Sequence, residues 1–528
     1  MVGASAVLFK RARKTVIMKV SDNYLLLIHL FAFAGWACCV LYYISSFVKK
    51  GYKHQKLWLF VVFAIVASAL IVRLYAADRD IKIYYDEYEI INASRTFASD
   101  GAFYMCSGGN LQKCDSKAPI NRPGGFIFVG AVAIALTGKD TPDVFFDLNA
   151  ILGALSLLLI AAVAYNALGD LRAGAYASAL ASVIPIHVAM ASNASSEMLN
   201  LAIVSSFWAF FFSSSDSIPF SIVRKPGSFF SILCAMLTRP ENIVLPAFFL
   251  LASFLFPLEP LKKRIHSLVS QATVYMYACL FLFPLVDLYL YIYRINRNHF
   301  ENMVISNISS IVGANFSYML SNPYISIAFF IPAAISFILF FKDRKHEEYI
   351  LLLYLPFCFF YLSAMKVNIF QGDLPRTLLV MTLPIAVLGG AGFFSALILK
   401  NRFKYPLIIL FIVPFAFFNP KPPAFHPVMI DFNKDLQSLS SIVPEECSIM
   451  TVNPSAPLFH SRNKAYGIDK LFDPAFMAEH NECKAVLYDV FCSYQFQDVC
   501  ERAKNEFPQK LLYSKSYSYF RYDLTLIQ

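Results

Sequence analysis

Charged residues are scarce in this sequence. Asp, Glu, Lys and Arg make up 15% of its 528 residues, whereas soluble domains carry roughly 25%. Hydrophobic residues make up 58%, and only 3 Trp accompany 52 Phe and 29 Tyr. This composition excludes a soluble globular protein and indicates a multi-pass membrane protein.

Motifs for nucleic-acid binding and for thiolate metal sites are also missing. No basic run is interleaved with aromatic residues, so the net charge of +10 is assigned to cytoplasmic loops and no nucleic-acid partner is expected. None of the 11 Cys has CxxC spacing, which argues against a thiolate metal centre. The sequence implies no cofactor, and a divalent metal has no supporting motif.

Six cysteines lie outside the apolar spans. They fall in two even-numbered groups, one in the loop after residue 78 and one in the polar tail: Cys106, Cys114, Cys447, Cys483, Cys492 and Cys500. If both regions are extracytoplasmic, these residues are expected to form disulfides, with the pairing left open.

Basic loops set the expected orientation. The link at 49–56 joins two apolar spans, 24–48 and 57–77, and its lysines place it in the cytoplasm. The later strongly basic loops then all lie on the same side: 224–225, 262–264, 342–345 and 400–404. Residues 1–20 are equally basic, which leaves two alternatives: translation starts at Met18, or the first helix does not fully cross.

The apolar stretch Gly124–Thr137 decides the register of the later loops. Its 14 residues reach about 21 Å as a helix, less than a hydrocarbon core of roughly 30 Å. We therefore expect a juxtamembrane helix in the outer interface. A full crossing is the alternative, and it would invert every later loop.

Three parts are expected along the chain. Residues 1–56 form a basic arm and an extra membrane helix, and residues 57–420 form a transmembrane catalytic domain with a long first outer loop at 78–143. Residues 421–528 have the composition of a small extracytoplasmic α/β domain. Strands are expected at 448–452, 485–488 and 510–513, and a helix over 494–507.

The acidic stretch directly after the span 57–77 is the most informative local feature. Asp86 and Glu87 are adjacent acids, and Glu89 follows them beside the membrane, where negative charge is costly unless it is paired or functional. The topology brings further charged residues to this outer face: Arg122, Glu197, Arg239, Glu241, Asp373 and Arg376. Simpler interpretations are an ion pair between Arg239 and Glu241, and a loop-edge position for Glu197.

This mixture of side chains suits group transfer from a lipid phosphate. A carboxylate can remove a proton from an acceptor hydroxyl, while arginine binds a phosphate bidentately and stabilises it as it leaves. A polyprenyl-phosphate sugar would place its lipid between the spans and its phosphate near Arg376 or Arg239. Its sugar would then face Asp86.

Several motifs in order resemble the GT-C superfamily of membrane glycosyltransferases, in the branch of protein O-mannosyltransferases and lipid A aminoarabinose transferases. The Asp86-Glu87 pair lies early in a long first loop. Weaker matches follow in order: Asn121-Arg122-Pro123-Gly124-Gly125, Ser195-Ser196-Glu197, Thr238-Arg239-Pro240-Glu241-Asn242 and Pro375-Arg376-Thr377. Gly124, Glu197 and Thr377 depart from the residues usual in the family.

The resemblance implies a fold and a reaction. The fold is an α-helical polytopic membrane protein of GT-C type with about 11–12 transmembrane helices and a small C-terminal extracytoplasmic α/β domain. The reaction is inverting transfer of a sugar from dolichyl- or undecaprenyl-phosphate to a protein, lipid or glycan acceptor on the extracytoplasmic side. The membrane is a prokaryotic cell membrane, or the endoplasmic reticulum membrane for a eukaryotic source.

The resemblance also implies roles for individual residues. Asp86 is the general base, Glu87 and Glu197 organise the site or acceptor, and Arg376 holds the donor phosphate together with Arg239. Residues assigned to support are Arg122, Glu241, Arg297 and His299. No metal ligand is assigned.

Two other classes of protein remain alternatives. A secondary transporter also uses intramembrane acids and arginines, but it predicts repeated halves and helices broken at matching positions. A non-catalytic membrane scaffold with a soluble binding domain would make the charged outer layer incidental.

Overall fold

The structure is a computed structural model, in which two compact units are distinguished. The first unit contains residues 1–79, 121–128 and 141–423, and the second contains 80–120, 129–140 and 424–528. The structure describes residues 2–81, 86–110, 113–120, 123–213, 218–239, 242, 245, 269, 324–325, 327–340, 354, 378–399, 404–421, 427–494, 496–517 and 521–527.

Helices make up the described part of the first unit. They are α1 Val2–Tyr75, the start (124–128) of α3 Gly124–Thr137, α4 Pro142–Leu168, α5 Leu171–Val183, α6 Pro185–Met190, α7 Glu197–Phe211, α8 Ile218–Thr238, α9 Phe330–Phe340, α10 Thr382–Ile398 and α11 Lys404–Ile412. Single 3₁₀ turns at Ile327–Phe329, Leu378–Met381 and Val413–Phe417 adjoin α9, α10 and α11. Helix α2, Asp86–Asp100, belongs to the second unit.

Helix α1 is two helices joined at Gln55, the residue whose backbone is not helical (φ −146°, ψ 53°). The Gln55 side chain accepts a hydrogen bond from the backbone N–H of Leu171 (2.6 Å), and Arg73 lies near Gly153. The second half of α1 thus runs back along α4. The basic link at 49–56, expected as a loop, is helical apart from this one residue.

Three helical segments in the described residues are long and apolar enough to cross a membrane: Tyr24–Tyr75, Pro142–Leu168 and Leu379–Ile398. The first covers the expected span 24–48 and the expected span 57–77 as far as residue 75. The second covers 144–168, and the third matches 376–398 from residue 379 onward. The helix expected at Gly124–Thr137 has those bounds and is 14 residues long. The expected span at 271–290 lies outside the described residues, as does the span at 349–365 apart from Tyr354.

The turn between α4 and α5 follows from local sequence. Gly169 adopts the left-handed conformation (φ 74°), which only glycine adopts at low cost, and its N–H donates to the carbonyl of Tyr165 (2.7 Å). Asp170 then caps α5, because its side chain accepts a hydrogen bond from the backbone N–H of Arg172 (2.7 Å).

Proline divides the expected span 174–193 into α5 and α6. Pro185 has no N–H to continue the helical ladder, and the N–H of Ile186 donates instead to the carbonyl of Tyr324 (3.1 Å). The carbonyl of Ser182 accepts a hydrogen bond from Nη2 of Arg73 (3.2 Å). Arg73 on α1 and the carbonyl of Tyr324 therefore satisfy the backbone groups freed by the break, as a low-dielectric interior requires.

Glycine permits close helix packing at two crossings. A Cβ on Gly174 would lie 2.7 Å from the carbonyl oxygen of Ala161 on α4, and one on Gly390 would lie 2.5 Å from that of Ala173 on α5. Small residues at such positions let helix backbones approach closely.

The second unit is built on a seven-stranded mixed sheet. The strands are β1 Tyr104–Gly109, β2 Cys114–Pro119, β3 Ser448–Thr451, β4 Ala465–Gly467, β5 Lys484–Tyr488, β6 Gln509–Ser516 and β7 Arg521–Ile527. Their order is β2-β1-β4-β3-β5-β7-β6, with β4, β3 and β5 parallel. Helices α12 Pro427–Gln437, α13 Leu439–Ile442, α14 Ser455–His460, α15 Pro474–Glu479, α16 Val490–Tyr494 and α17 Gln497–Glu506 accompany them.

The expected C-terminal sheet is present, but it includes part of the first long loop. Strand β1 pairs antiparallel with β4 through Gly108 and Gly109 and carries β2 at the sheet edge. From the sequence, residues 78–143 are expected to belong to the membrane domain. The pairing joins residues more than 350 positions apart, and local sequence periodicity carries no information about such a contact.

The six extramembrane cysteines form three disulfides, Cys106–Cys114, Cys447–Cys483 and Cys492–Cys500. This confirms the expectation of disulfides and supplies the pairing. All three lie in the second unit.

Removing the Cys447–Cys483 disulfide is expected to destabilise the second unit. The bond links residues 36 positions apart. The chain-entropy account therefore predicts that the free energy of unfolding of the Cys447→Ser/Cys483→Ser variant is about 3–4 kcal/mol lower than that of the wild type. Pulse proteolysis of the full chain in detergent would measure this loss. The control is Cys38→Ser, which removes an exposed free thiol; equal stability of the two variants would contradict the prediction.

Candidate active site

Helix α2 begins with the acidic turn singled out in the sequence. Asp86, Glu87 and Glu89 all lie in its first turn, where negative charge is favourable toward the helix dipole. That electrostatic term does not require burial, yet Glu87 is 0% exposed and Glu89 is 8% exposed, while Asp86 is half-buried. The turn is therefore built into the protein interior.

Tyr88, between the two buried acids, is hydrogen-bonded at its hydroxyl. The amide nitrogen of Asn433 donates to the carbonyl of Ile81 (3.0 Å), so its oxygen accepts from the Tyr88 hydroxyl (3.0 Å). The Tyr88 oxygen then accepts from Nε2–H of His460. Burial, reinforced by the charges of Asp80 and Glu87, raises the pKa of Tyr88 well above its usual value, so the phenol keeps its proton.

The first unit contains a buried ion pair of its own. Nη1 of Arg239 lies 2.7 Å from Oε1 of Glu197, and the two side chains are 18% and 4% exposed. Glu197 begins α7 and Arg239 follows the end of α8. The Glu241 suggested as the partner of Arg239 lies outside the described residues, and the pairing with Glu197 shows that this acid is more than a loop-edge residue.

A buried loop precedes Glu197. Residues 191–195 are at most 2% exposed, so their backbone polar groups need partners within the protein. The side-chain amide of Asn149 on α4 donates to the carbonyls of Asn193 (2.7 Å) and Ser195 (2.9 Å). One side chain thus fixes two carbonyls in the loop that leads to Glu197.

A second polar chain holds α6, the helix before this loop. Arg73, 1% exposed, donates to the carbonyl of Ala69 (2.8 Å) and to Nδ1 of His187 (2.7 Å). Because Nδ1 accepts, Nε2 carries the proton and donates to Oγ of Ser156 (2.9 Å), which donates to the carbonyl of Gly153 (2.8 Å). A neutral imidazole fits this chain, because it accepts a hydrogen bond at Nδ1 and donates one at Nε2.

The structure describes only part of the predicted set. Asp86 and Glu87 belong to the second unit, and Glu197 and Arg239 belong to the first. The other predicted site residues lie outside the described part: Arg122, Glu241, Arg297, His299, Asp373 and Arg376. Among the described residues, no group of three or more side chains is arranged to hold a metal ion.

Sequence reasoning missed the residues that hold these acids in place. Arg73 and His187 carried a usable signal, since each is a polar side chain inside an apolar stretch. Asn149 carried a weaker signal, because Asp147 lies only two residues before it. Asn433 carried none, because asparagine is ordinary in a soluble domain.

No family model matches the chain, and no curated protein matches it in sequence at a significant level. Solved structures do match it. ArnT from Cupriavidus metallidurans in the apo state is 12% identical, with a TM-score of 0.58 over 88% of this chain and 97% of that chain. The chain has the GT-C fold.

Two further GT-C structures support this assignment. ArnT from Cupriavidus metallidurans bound to undecaprenyl phosphate gives a TM-score of 0.55 at 12% identity, covering 88% of this chain and 97% of that chain. The archaeal oligosaccharyltransferase AglB from Archaeoglobus fulgidus, in complex with an inhibitory peptide and a dolichol-phosphate, gives 0.51 at 11% identity, covering 89% and 74%. The resemblance to GT-C proteins inferred from the motifs is confirmed at the level of the fold.

Loss of the Asn149 amide is expected to loosen the loop before Glu197. Asn149→Ala leaves two buried carbonyls without their donor, at a cost of about 1–3 kcal/mol each. Hydrogen exchange of the amides at 191–197 should accelerate roughly tenfold or more. Asn166→Ala is the control, because Asn166 on the same helix also donates two hydrogen bonds, to Tyr43 and Ala209. Unchanged exchange at 191–197 in Asn149→Ala would refute the assignment.

The stability of the second unit should depend on pH through His460. Burial lowers its pKa to about 4, whereas an unfolded chain has roughly 6.5. Between these two pKa values the imidazole is protonated in the unfolded state but not in the folded state. Stability that is present above pH 6.5 is therefore lost as the pH falls toward 4, by up to about 3 kcal/mol.

The comparison that isolates this effect uses His460→Gln, which keeps a donor but does not titrate. The stability advantage of the wild type over this variant should shrink between pH 7 and pH 4, as measured by pulse proteolysis. An advantage that stays constant with pH would rule out a buried neutral His460.

Proposed function

We propose that this protein is a glycosyltransferase that moves a sugar from a polyprenyl-phosphate donor to an acceptor on the extracytoplasmic side of the membrane. The observation that carries the proposal is the GT-C fold, which extends over 88% of this chain and 97% of an ArnT chain. ArnT has been seen with undecaprenyl phosphate and AglB with a dolichol-phosphate. The buried acidic turn supplies a carboxylate of the kind that the reaction needs.

The proposed chemistry is a single displacement. Asp86 accepts the proton of the acceptor hydroxyl while the hydroxyl oxygen forms a bond to the anomeric carbon of the sugar. The bond between that carbon and the phosphate oxygen breaks, and the electron pair leaves with the polyprenyl phosphate, so the configuration inverts. One general base in such a step contributes roughly 10²–10⁴ in rate.

The remaining residues receive supporting roles in the proposal. Glu87 supports Asp86, and Glu197 organises the site by aligning the guanidinium of Arg239 through their 2.7 Å contact. Arg239 and Arg376 bind the donor phosphate, since arginine presents a planar set of donors that matches phosphate oxygens. Arg122, Glu241, Arg297 and His299 remain assigned to support.

Disulfides favour the outward orientation of the acidic turn. All three bonds belong to the unit that contains Asp86, and disulfides persist in oxidising compartments outside the cytoplasm. The acceptor is a protein, a lipid or a glycan in this proposal.

Asp86→Asn is expected to abolish transfer. The host lacking this protein should lose one sugar from a glycan detected by mass spectrometry, the wild-type chain should restore it, and Asp86→Asn should lower its formation roughly 100-fold or more. Folding should persist, because Asn keeps the size and one acceptor oxygen of Asp.

The matched control is Asp498→Asn. Asp498 is an exposed acid in the first turn of α17, so the substitution makes the same chemical change at an equivalent helical position of the same unit. Full transfer by Asp86→Asn would exclude Asp86 as the base. An unaltered glycan profile in the deletion host would instead count against the function itself.

A further inference from the structure

One face of α2 is covered by residues from the C-terminal part of the chain. Tyr88, Asn92 and Arg95 follow at i, i+4 and i+7, so they share a face of the helix. The ring of Tyr88 lies 5.8 Å from that of Phe459, and the guanidinium of Arg95 lies 4.9 Å from the same ring. Asn92 donates to Oγ of Ser455 (3.0 Å). This face therefore packs on α14.

The acidic turn itself receives a hydrogen bond from the same region. Nδ2 of Asn453 donates to Oε1 of Glu89 (2.9 Å). The orientation of the Asn453 amide is fixed, because its oxygen accepts from the backbone N–H of Ser455 (3.0 Å) and its nitrogen must then face Glu89. Asn453 thus acts as a rigid donor that precedes α14 by two residues.

Besides the packing on α14 and the hydrogen bond from Asn453, the contacts of Tyr88 also hold the first turn of α2. Its hydroxyl donates to Asn433 and accepts from His460, and its ring is 0% exposed. Tyr88 lies between Glu87 and Glu89 in the sequence, so both of its neighbours move with it. A helix terminus held in this way does not fray as an ordinary first turn does.

We infer that Asn433, Asn453 and His460 are positioning residues, which hold the first turn of α2 and thereby orient Asp86 and Glu87 for transfer. The inference assigns this task to the C-terminal part of the chain. Its chemical meaning rests on the proposed function, whereas the anchoring of the helix does not. Productive geometry is held to about 0.5 Å in effective sites, and a misplacement of about 1 Å can cost roughly 100-fold in rate.

Exchanging donor and acceptor in the hydrogen bond between Asn453 and Glu89 tests the inference. Asn453→Asp places a carboxylate against Glu89, so the hydrogen bond is replaced by repulsion. Adding Glu89→Gln restores a donor and an acceptor in the opposite order, because the Gln amide donates to Asp. Asn505→Asp is the control, since it makes the same change at an exposed position of the same unit.

Two readouts on the full chain are compared. The first is hydrogen exchange of the α2 amides in detergent-solubilised protein, and the second is sugar transfer in the complemented host, normalised to the amount of folded protein. Asn453→Asp should accelerate exchange at 87–93 and lower transfer, each about tenfold or more. The Glu89→Gln/Asn453→Asp chain should return both readouts to about the level of Glu89→Gln alone.

Unchanged α2 exchange in Asn453→Asp would overturn the inference, as would a double variant no better than Asn453→Asp. Loss of transfer in Asn505→Asp to the same degree would also overturn it. If exchange responds as expected while the wild type transfers no sugar, the anchoring stands and the proposed function fails.

Discussion

Helix α2 buries a first turn that carries three carboxylates, and this burial depends on side chains far along the chain. Asn433 and Asn453 lie 345 and 364 residues after their partners Tyr88 and Glu89. A buried polar group without a partner costs about 1–3 kcal/mol. The two asparagines therefore stabilise the buried position of this helix by supplying hydrogen-bond partners to Tyr88 and Glu89. The hairpin of β1 and β2, which follows α2, joins the sheet of the C-terminal strands through the pairing of β1 with β4. The first long loop and the C-terminal segment therefore fold as one unit.

The same constraint shapes the first unit. Pro185 breaks a helix within an apolar stretch, and the carbonyl of Ser182 and the N–H of Ile186 find partners in Arg73 and Tyr324. Arg73 also holds His187, and Asn149 holds the loop that leads to Glu197. The acidic turn of α2 and the loop that leads to Glu197 thus both depend on side-chain amides, those of Asn453 and Asn149, that take no direct part in the proposed chemistry. Each unit carries its own set of such donors.

Sequence patterns predicted the parts of the structure that depend on local composition. Apolar length located the helices at 142–168 and 382–398, and the alternation of short apolar runs located strands near 448, 485 and 510. The motifs, taken in their order along the chain, predicted the GT-C fold, although the chain is only 12% identical to ArnT. Strands β1 and β2 were missed because Gly, Ser and Pro obscure their periodicity and their partner strand β4 lies in the C-terminal domain.

Only the charged members of the candidate site could be proposed from the sequence. Asp86, Glu87, Glu197 and Arg239 stand out because charge beside a membrane is costly. The pairing of Arg239 with Glu197 was not foreseen, since Glu241 is nearer in sequence and only the fold brings α7 beside α8. Asn453 and His460 gave no signal, because a hydrogen bond between distant neutral and charged side chains leaves no periodic trace.

The account requires that the acidic turn works on the side of the membrane opposite the basic link at 49–56. Membrane-impermeant thiol labelling of intact cells tests this with one cysteine added to the chain at a time, Lys53→Cys or Glu501→Cys, both at exposed positions. The wild-type chain serves as the blank. The account predicts that only the cysteine at 501 is labelled from outside and that the one at 53 reacts after the membrane is opened. Labelling of both positions from the same side would contradict it.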